Sequence, residues 1–483
     1  MPVALSTHRT LGRRPAGAMF GCDRAAVSST FREVPCLECS PFPVRSGRTD
    51  SERLGICQML RRIDMNGHKK TFFFVLVLAV FAMLAAACAG PATLEDFTPK
   101  DASLGGILIG ADEPIKIATL QAMSGAVASL GTDQVRGVEI AIDERPEILG
   151  HKVDLAFKED DLCSSEGGTT GAQRIVSDPQ VIGVIGTSCS GAGVPASKIV
   201  SEAGRVMISG SNTSPVLTEV GGEKGAAWQP GYYRTAHNDA VQGAAAANFV
   251  YTKLGLTKVA TINDGDPYTQ GLTTAFGKSF KDLGGDIVLA TAIGATDTDM
   301  RPVLTEVAAS GAQLIFFPIF QPAGDFVAGQ AKEVSGLEDV KLMGADGLLS
   351  DTYVTLPQTK GMYFSGPATP KTPAYADFVK KYESKFGEKP IQAFHAQAYD
   401  AANMLLDAIQ AVAQQKGDVL YIDMKDLRDA LYKTDMQGLT GHIVCNEFGD
   451  CADAVIDIVQ NTDATPDITA VKANVLYEFR PGQ

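Results

Sequence analysis

At 483 residues the chain is long enough for about two or three domains and a large buried core. A hydrophobic content of 45% with 20% charged residues excludes wholesale disorder, and 56 Asp and Glu against 42 Lys and Arg exclude a basic nucleic-acid-binding surface. The average conceals a break: residues 1–64 hold ten Arg, no Lys and a net charge of +4, whereas everything from Cys88 onward carries −20.

Between the two regions, Met65 opens a short basic stretch with Lys69 and Lys70, followed by an uncharged apolar run of 16 residues from Phe72 to Ala87. A spanning helix needs about 20 apolar residues, so this run has the length of a secretory h-region. The small residues Ala85, Ala86 and Ala87 directly before Cys88 make it resemble a bacterial lipoprotein signal, although Ala85 holds the place where the usual box has Leu. The expectation is export, removal of 65–87 and lipidation of Cys88, which anchors the chain to the membrane. Ordinary signal cleavage and a retained membrane helix are the alternatives. Residues 1–64 then read as upstream translated sequence rather than native protein. Their rival reading, a zinc module on Cys22, Cys36, Cys39 and Cys57, suffers from outer cysteines too distant and lacks a His pair. Four cysteines remain, and in an exported chain an even number suggests disulfides. Cys445 and Cys451 flank a five-residue turn and pair locally, leaving Cys163 to pair with Cys189.

After a polar tether over residues 88–114 the pattern becomes regular. Strand Ile115–Leu120 precedes helix Asp133–Asp143, strand Val153–Phe157, helix Gly168–Val176, strand Val181–Ile185, helix Pro195–Ala203 and strand Val206–Ser209. A second series runs through helix Val241–Leu254, strand Val259–Ile262, helix Gln270–Leu283, strand Ile287–Ala290, helix Met300–Ala309, strand Leu314–Phe317, helix Ala323–Val334 and strand Lys341–Met343. Short, largely apolar strands separated by helices mean parallel sheets covered on both faces. Two such series predict an α/β chain of two doubly wound parallel-sheet lobes.

Ligands of such sheets bind beyond the carboxyl ends of the strands. In the first series those ends read Ser124-Gly125, Cys189-Ser190-Gly191 and Gly210-Ser211-Asn212-Thr213, rich in hydroxyls and in N–H groups at helix N-termini that suit a carboxylate. In the second they carry Asp264 to Tyr268, Phe320 and Asp346. Anion donors on one lobe with aromatics and a carboxylate on the other suit a zwitterion, an amino acid. Gly191-Ala-Gly193-Val-Pro195-Ala196 matches a dinucleotide fingerprint only superficially, because the next strand ends in Ser209-Gly210 rather than an acidic residue. His151, His237, His395 and His442 show no metal spacing, and neither a nucleophile elbow nor a P-loop is present. The sequence therefore predicts neither cofactor nor metal nor catalysis.

Several runs together resemble branched-chain amino-acid (Leu/Ile/Val-type) substrate-binding proteins of ABC transporters. They are Ile117-Ala-Thr-Leu-Gln-Ala-Met-Ser-Gly125, Glu159-Asp-Asp-Leu-Cys163, Val184-Ile-Gly-Thr-Ser-Cys-Ser-Gly191, Met207-Ile-Ser-Gly-Ser-Asn-Thr-Ser-Pro215, Asn263-Asp-Gly-Asp-Pro-Tyr-Thr-Gln-Gly-Leu272 and Leu342-Met-Gly-Ala-Asp-Gly347. The resemblance spans about residues 115–460 and implies a type I periplasmic-binding fold with three crossovers. It implies lobe 1 from 115–238 and 367–441, and lobe 2 from 239–366 and 442–483. It also implies that Ser190 binds a ligand carboxylate, that Thr213 contacts both ends of the zwitterion, and that the Ser211 carbonyl accepts its ammonium. Asp346 is the acidic ammonium partner where leucine-type relatives carry Glu. Phe320 stands where they carry Tyr, Tyr268 is kept, and Leu130 replaces a pocket aromatic. The family disulfide falls on Cys163 and Cys189, and Gly221–Gly231 around Trp228 reads as an insertion. The implied function is a solute-binding lipoprotein, not an enzyme, that delivers an amino acid or a related small carboxylate or amide to the permease and ATPase subunits of an importer. A ligand-sensing exported protein of a signalling system is the alternative; it requires a membrane span after Cys88, and the sequence shows no such run.

Overall fold

The computed structural model describes residues 92–482 apart from residue 466. The expected signal, the lipidated Cys88 and the upstream region lie outside the described residues. From Gly106 the elements run β1 (Gly106–Ile109), β2 (Ile115–Gln121), α1 (Ala128–Glu144), β3 (Glu147–Ile148), β4 (His151–Asp160), α2 (Ser165–Val176), β5 (Val181–Gly186), α3 (Ser190–Glu202), β6 (Val206–Ser209) and β7 (Tyr232–Arg234). They build one sheet in the order β3-β4-β2-β5-β6-β7, parallel except for the β3–β4 hairpin. All six residues of β5 are buried, as expected of a central strand covered on both faces.

The second lobe follows with α4 (Asp239–Asn248), β8 (Lys258–Asn263), α5 (Pro267–Asp282), β9 (Asp286–Ala292), α6 (Arg301–Ser310), β10 (Leu314–Phe316), α7 (Ala323–Ala331), β11 (Lys341–Ala345) and β12 (Tyr363–Pro367). The chain returns to lobe 1 for α8 (Pro373–Phe386), α9 (His395–Val412), β13 (Gln414–Lys416), β14 (Val419–Asp423) and α10 (Met424–Leu431), then crosses back for β15 (Ile456–Gln460), α11 (Ile468–Ala473) and β16 (Val475–Phe479). The lobe 2 sheet has the order β9-β8-β10-β11-β12-β15-β16, with the last two strands antiparallel. Each sheet has an apolar core on both faces, for instance Ile117, Ile185 and Leu405 on one side of lobe 1 and Val184, Ala196 and Met207 on the other. This is the expected architecture of two doubly wound lobes joined by three crossovers.

Three features differ from the expectations. The stretch 88–114 is not wholly a tether: β1 pairs antiparallel with β14, Ile107 and Ile109 enter the lobe 1 core, and buried Phe97 stacks on Tyr421 at 5.6 Å. The final crossing lies after Cys451 rather than at 442, because Ile443 and Cys451 are buried in the lobe 1 core and residues 449–451 hydrogen-bond along Arg234. Helix α3 begins at Ser190, not at Pro195. Pro195 sits inside it and cannot donate to the Gly191 carbonyl; the Ser165 hydroxyl donates to that carbonyl instead, at 3.0 Å. The Gly221–Gly231 stretch carries a small hairpin, with the Lys224 ammonium 3.4 Å over the Trp228 ring and the indole N–H donating to the Phe448 carbonyl.

Candidate functional site

The loops beyond the strand ends of the two sheets meet at the junction of the lobes. Lobe 1 lines it with the loops that follow β5 and β6, and a hydrogen-bonded core fixes both. The Ser188 hydroxyl donates to Gln121 Oε1 at 2.7 Å and accepts from the Ala122 N–H at 3.0 Å. The Ser188 N–H donates to Asp161 at 2.7 Å, and Asp161 also receives the Cys163 N–H at 2.7 Å. Burial pushes the Asp161 carboxyl up to about 7, against the pull of these N–H donors. Cys163 and Cys189 are disulfide-bonded with Cα atoms 5.1 Å apart, and Cys445 and Cys451 are bonded at 3.8 Å.

The loop carrying Ser211 and Thr213 is held by fully buried Arg234. Its guanidinium donates to the carbonyls of Asn212 at 3.0 Å and Ser214 at 2.8 Å, which flank Thr213, and to the Thr218 hydroxyl at 2.5 Å, while Nε pairs with Asp450. The Ser211 hydroxyl is spent on the Ser188 carbonyl at 2.8 Å, leaving its own carbonyl as the group it can offer. Ser190 lies in the first turn of α3 and accepts the Ser214 N–H at 3.3 Å. The Thr213 hydroxyl is buried and lies beside the Asp239 carboxyl.

Lobe 2 faces this with a carboxylate network. Asp346, 4% exposed, accepts the Gln242 amide N–H at 2.5 Å and the Tyr268 hydroxyl at 3.3 Å on the same oxygen. Gln242 also donates to the Ser365 carbonyl at 3.1 Å, and its amide oxygen faces His237 Nε2. Burial drives the His237 imidazole down to about 4, so it is neutral and donates from Nε2. Burial raises Asp346 to about 6, with Gln242 and Tyr268 opposing. Asp239 is fully buried, its N–H donates to the Thr213 carbonyl at 3.0 Å, and its carboxyl lies beside the Thr213 hydroxyl. Burial first, and then the nearby Asp346, push its carboxyl well above the ordinary range.

The apolar part of the cleft joins both lobes. Leu130, Cys189, Ala236, Ala393 and Phe394 of lobe 1 form one cluster into which Phe320 of lobe 2 packs, 5.2 Å from the Tyr268 ring. The lobes also touch where the Ser214 hydroxyl donates to the Pro267 carbonyl at 2.7 Å. Of the seven residues singled out in the sequence, Leu130 and Phe320 share one cluster, Tyr268 and Asp346 are hydrogen-bonded to each other, and Ser190, Ser211 and Thr213 belong to the adjoining lobe 1 loops. Sequence reasoning missed Asp239, Gln242, Arg234 and Phe394. The first two are three positions apart on α4 behind the Asn238 cap, a spacing that places them on one helix face.

The model of the periplasmic binding protein family matches residues 114–449. An amino acid binding protein of Pseudomonas aeruginosa is 32% identical over 255 residues, 51% of this chain and 66% of that protein. Leu/Ile/Val-binding protein homolog 3 of Brucella melitensis is 26% identical over 364 residues, 74% of this chain and 94% of that one. Among solved structures, a leucine binding protein from Thermotoga maritima has a TM-score of 0.65 at 24% identity, over 76% of this chain and 99% of its own. A solute binding protein from R. palustris in complex with benzoate has a TM-score of 0.61 at 20% identity, over 72% and 94%. At these identities the two structures establish the shared fold.

Proposed function

The chain belongs to the periplasmic binding protein family, and from that premise we propose that it captures an amino acid between its lobes and delivers it to an ABC importer. The observation that carries the reading is Asp346, a buried carboxylate held by Gln242 and Tyr268 opposite the hydroxyls of Ser190 and Thr213. In this reading the ligand carboxylate takes the Ser190 hydroxyl and the Ser190 N–H at the start of α3, where the helix dipole favours an anion. The ligand ammonium takes Asp346, the Ser211 carbonyl and the Thr213 hydroxyl. The side chain lies against Leu130, Phe320 and Phe394. Lipidation of Cys88 then tethers the exported chain beside permease and ATPase subunits.

The R. palustris relatives solved with benzoates suggest a second reading, an aromatic acid without a cationic group. The carboxylate of Asp346 weighs against it. A ligand bringing only negative charge would enter beside this buried acid, and like charges brought together at low dielectric repel. Calorimetry with leucine, isoleucine, valine, smaller amino acids, 4-methylpentanoate and benzoate tests the reading. At least one amino acid binds and 4-methylpentanoate does not; tight benzoate binding with no amino acid bound would overturn it.

A further inference from the structure

Asp266 stands at the point where the second lobe meets the first helix end of the site. Its carboxylate oxygen Oδ1 accepts the Tyr268 N–H at 2.8 Å and so caps helix α5 of lobe 2. Its other oxygen reaches across the cleft to the N-terminus of α3 in lobe 1. There a Cβ placed on Gly191 would lie 2.1 Å from Asp266 Oδ2, so the carboxylate packs directly on the helix end. The N–H groups of Ala192 and Gly193 already turn back to the Cys189 carbonyl, so the Gly191 N–H beside this carboxylate is one of those a helix end leaves over. Next in sequence, the Pro267 carbonyl receives the Ser214 hydroxyl from lobe 1.

We infer that Asp266 is an affinity-setting latch, one carboxylate shared between the N-termini of two helices on opposite lobes, which holds the lobes closed over the ligand. The bond to Tyr268 lies within lobe 2 and survives opening; the contact with Gly191 exists only when the lobes meet. A contact of this kind adds free energy to the closed arrangement alone, whatever the ligand. A side chain at position 191 would push it aside, because a methyl group there would occupy the place of the carboxylate oxygen. It also divides the α3 end, with Gly191 serving the latch and Ser190 left for the ligand.

Two variants on opposite lobes test this without knowledge of the ligand. Asp266→Asn keeps an oxygen to cap α5 but removes the charge. Gly191→Ala leaves Asp266 intact and displaces it sterically. In protein with no ligand added, both variants are expected to raise the radius of gyration in small-angle scattering. Both should also speed amide exchange over residues 189–193 by about tenfold, the size expected for loss of a charge-assisted hydrogen bond. Unchanged helical circular dichroism shows that α5 is still capped. If neither variant changes the scattering or the exchange, the latch does not exist. If only Asp266→Asn does, the effect belongs to the cap and the inference is equally overturned.

Discussion

Asp346 concentrates the chemistry of the cleft in one side chain. An ammonium buried without its carboxylate costs several kcal/mol, so Asp346→Ala is expected to weaken an amino-acid ligand by about 3–5 kcal/mol, at least 100-fold in Kd by calorimetry. Burial raises its carboxyl to about 6, and an ammonium needs the ionised form. Affinity should therefore fall as pH drops through 6, approaching about tenfold per unit below it, and Asp346→Asn should flatten that profile. Protein stability moves the other way. A carboxyl whose folded value lies above its unfolded one contributes most at low pH, and that contribution is lost as pH rises through 6. The places of Ser190, Thr213 and Asp346 beyond strand ends were legible in the pattern, whereas the roles proposed for them came from the resemblance to branched-chain amino-acid-binding proteins. Asp239 and Gln242 were not legible, since a helix face of mixed Asp, Gln and Ala reads as solvated surface until the opposing lobe is seen to cover it.

At the scale of elements, the sequence located what local periodicity encodes. Strands β2, β5, β6, β8 and β10 begin within a residue of their expected starts, because largely apolar runs of this length suit a covered sheet. The start of α3 was misplaced because Pro195 normally opens a helix, and the residue that makes it tolerable, Ser165, lies on another helix. Ser165→Ala should leave the Gly191 carbonyl unpaired and cost about 1–3 kcal/mol in denaturant unfolding, with little change in ligand affinity. The Cys163–Cys189 bond spans 26 residues, so replacing both cysteines by Ser should cost about 3.5 kcal/mol on the chain-entropy estimate. The strand β1 had no readable signal: its partner β14 lies more than 300 residues away, and four residues, two of them partly exposed, carry no period.

For the whole molecule, the division into two lobes followed from the count of strand–helix units, whereas the last crossover did not. Where a chain leaves one lobe depends on which core buries Ile443 and Cys451, and that choice is made by residues far away in sequence. The anchoring proposed for Cys88 predicts that Cys88→Ala shifts the protein from the membrane fraction to the soluble extract, as seen by immunoblot. The clamp at Arg234 has a wider consequence. Asp450, held in the turn closed by Cys445–Cys451, grips Arg234, and Arg234 grips the carbonyls on either side of Thr213. The stiffness of Thr213, the threonine proposed to meet the ligand, is thus borrowed from a covalent ring beside the last crossover, an ordering that precedes capture in the proposed function. Replacing both Cys445 and Cys451 by Ser should move that ordering to the moment of capture. Calorimetry would then register a more unfavourable binding entropy, so that the oxidation state of a turn beside the hinge is written into the heat of binding in the cleft.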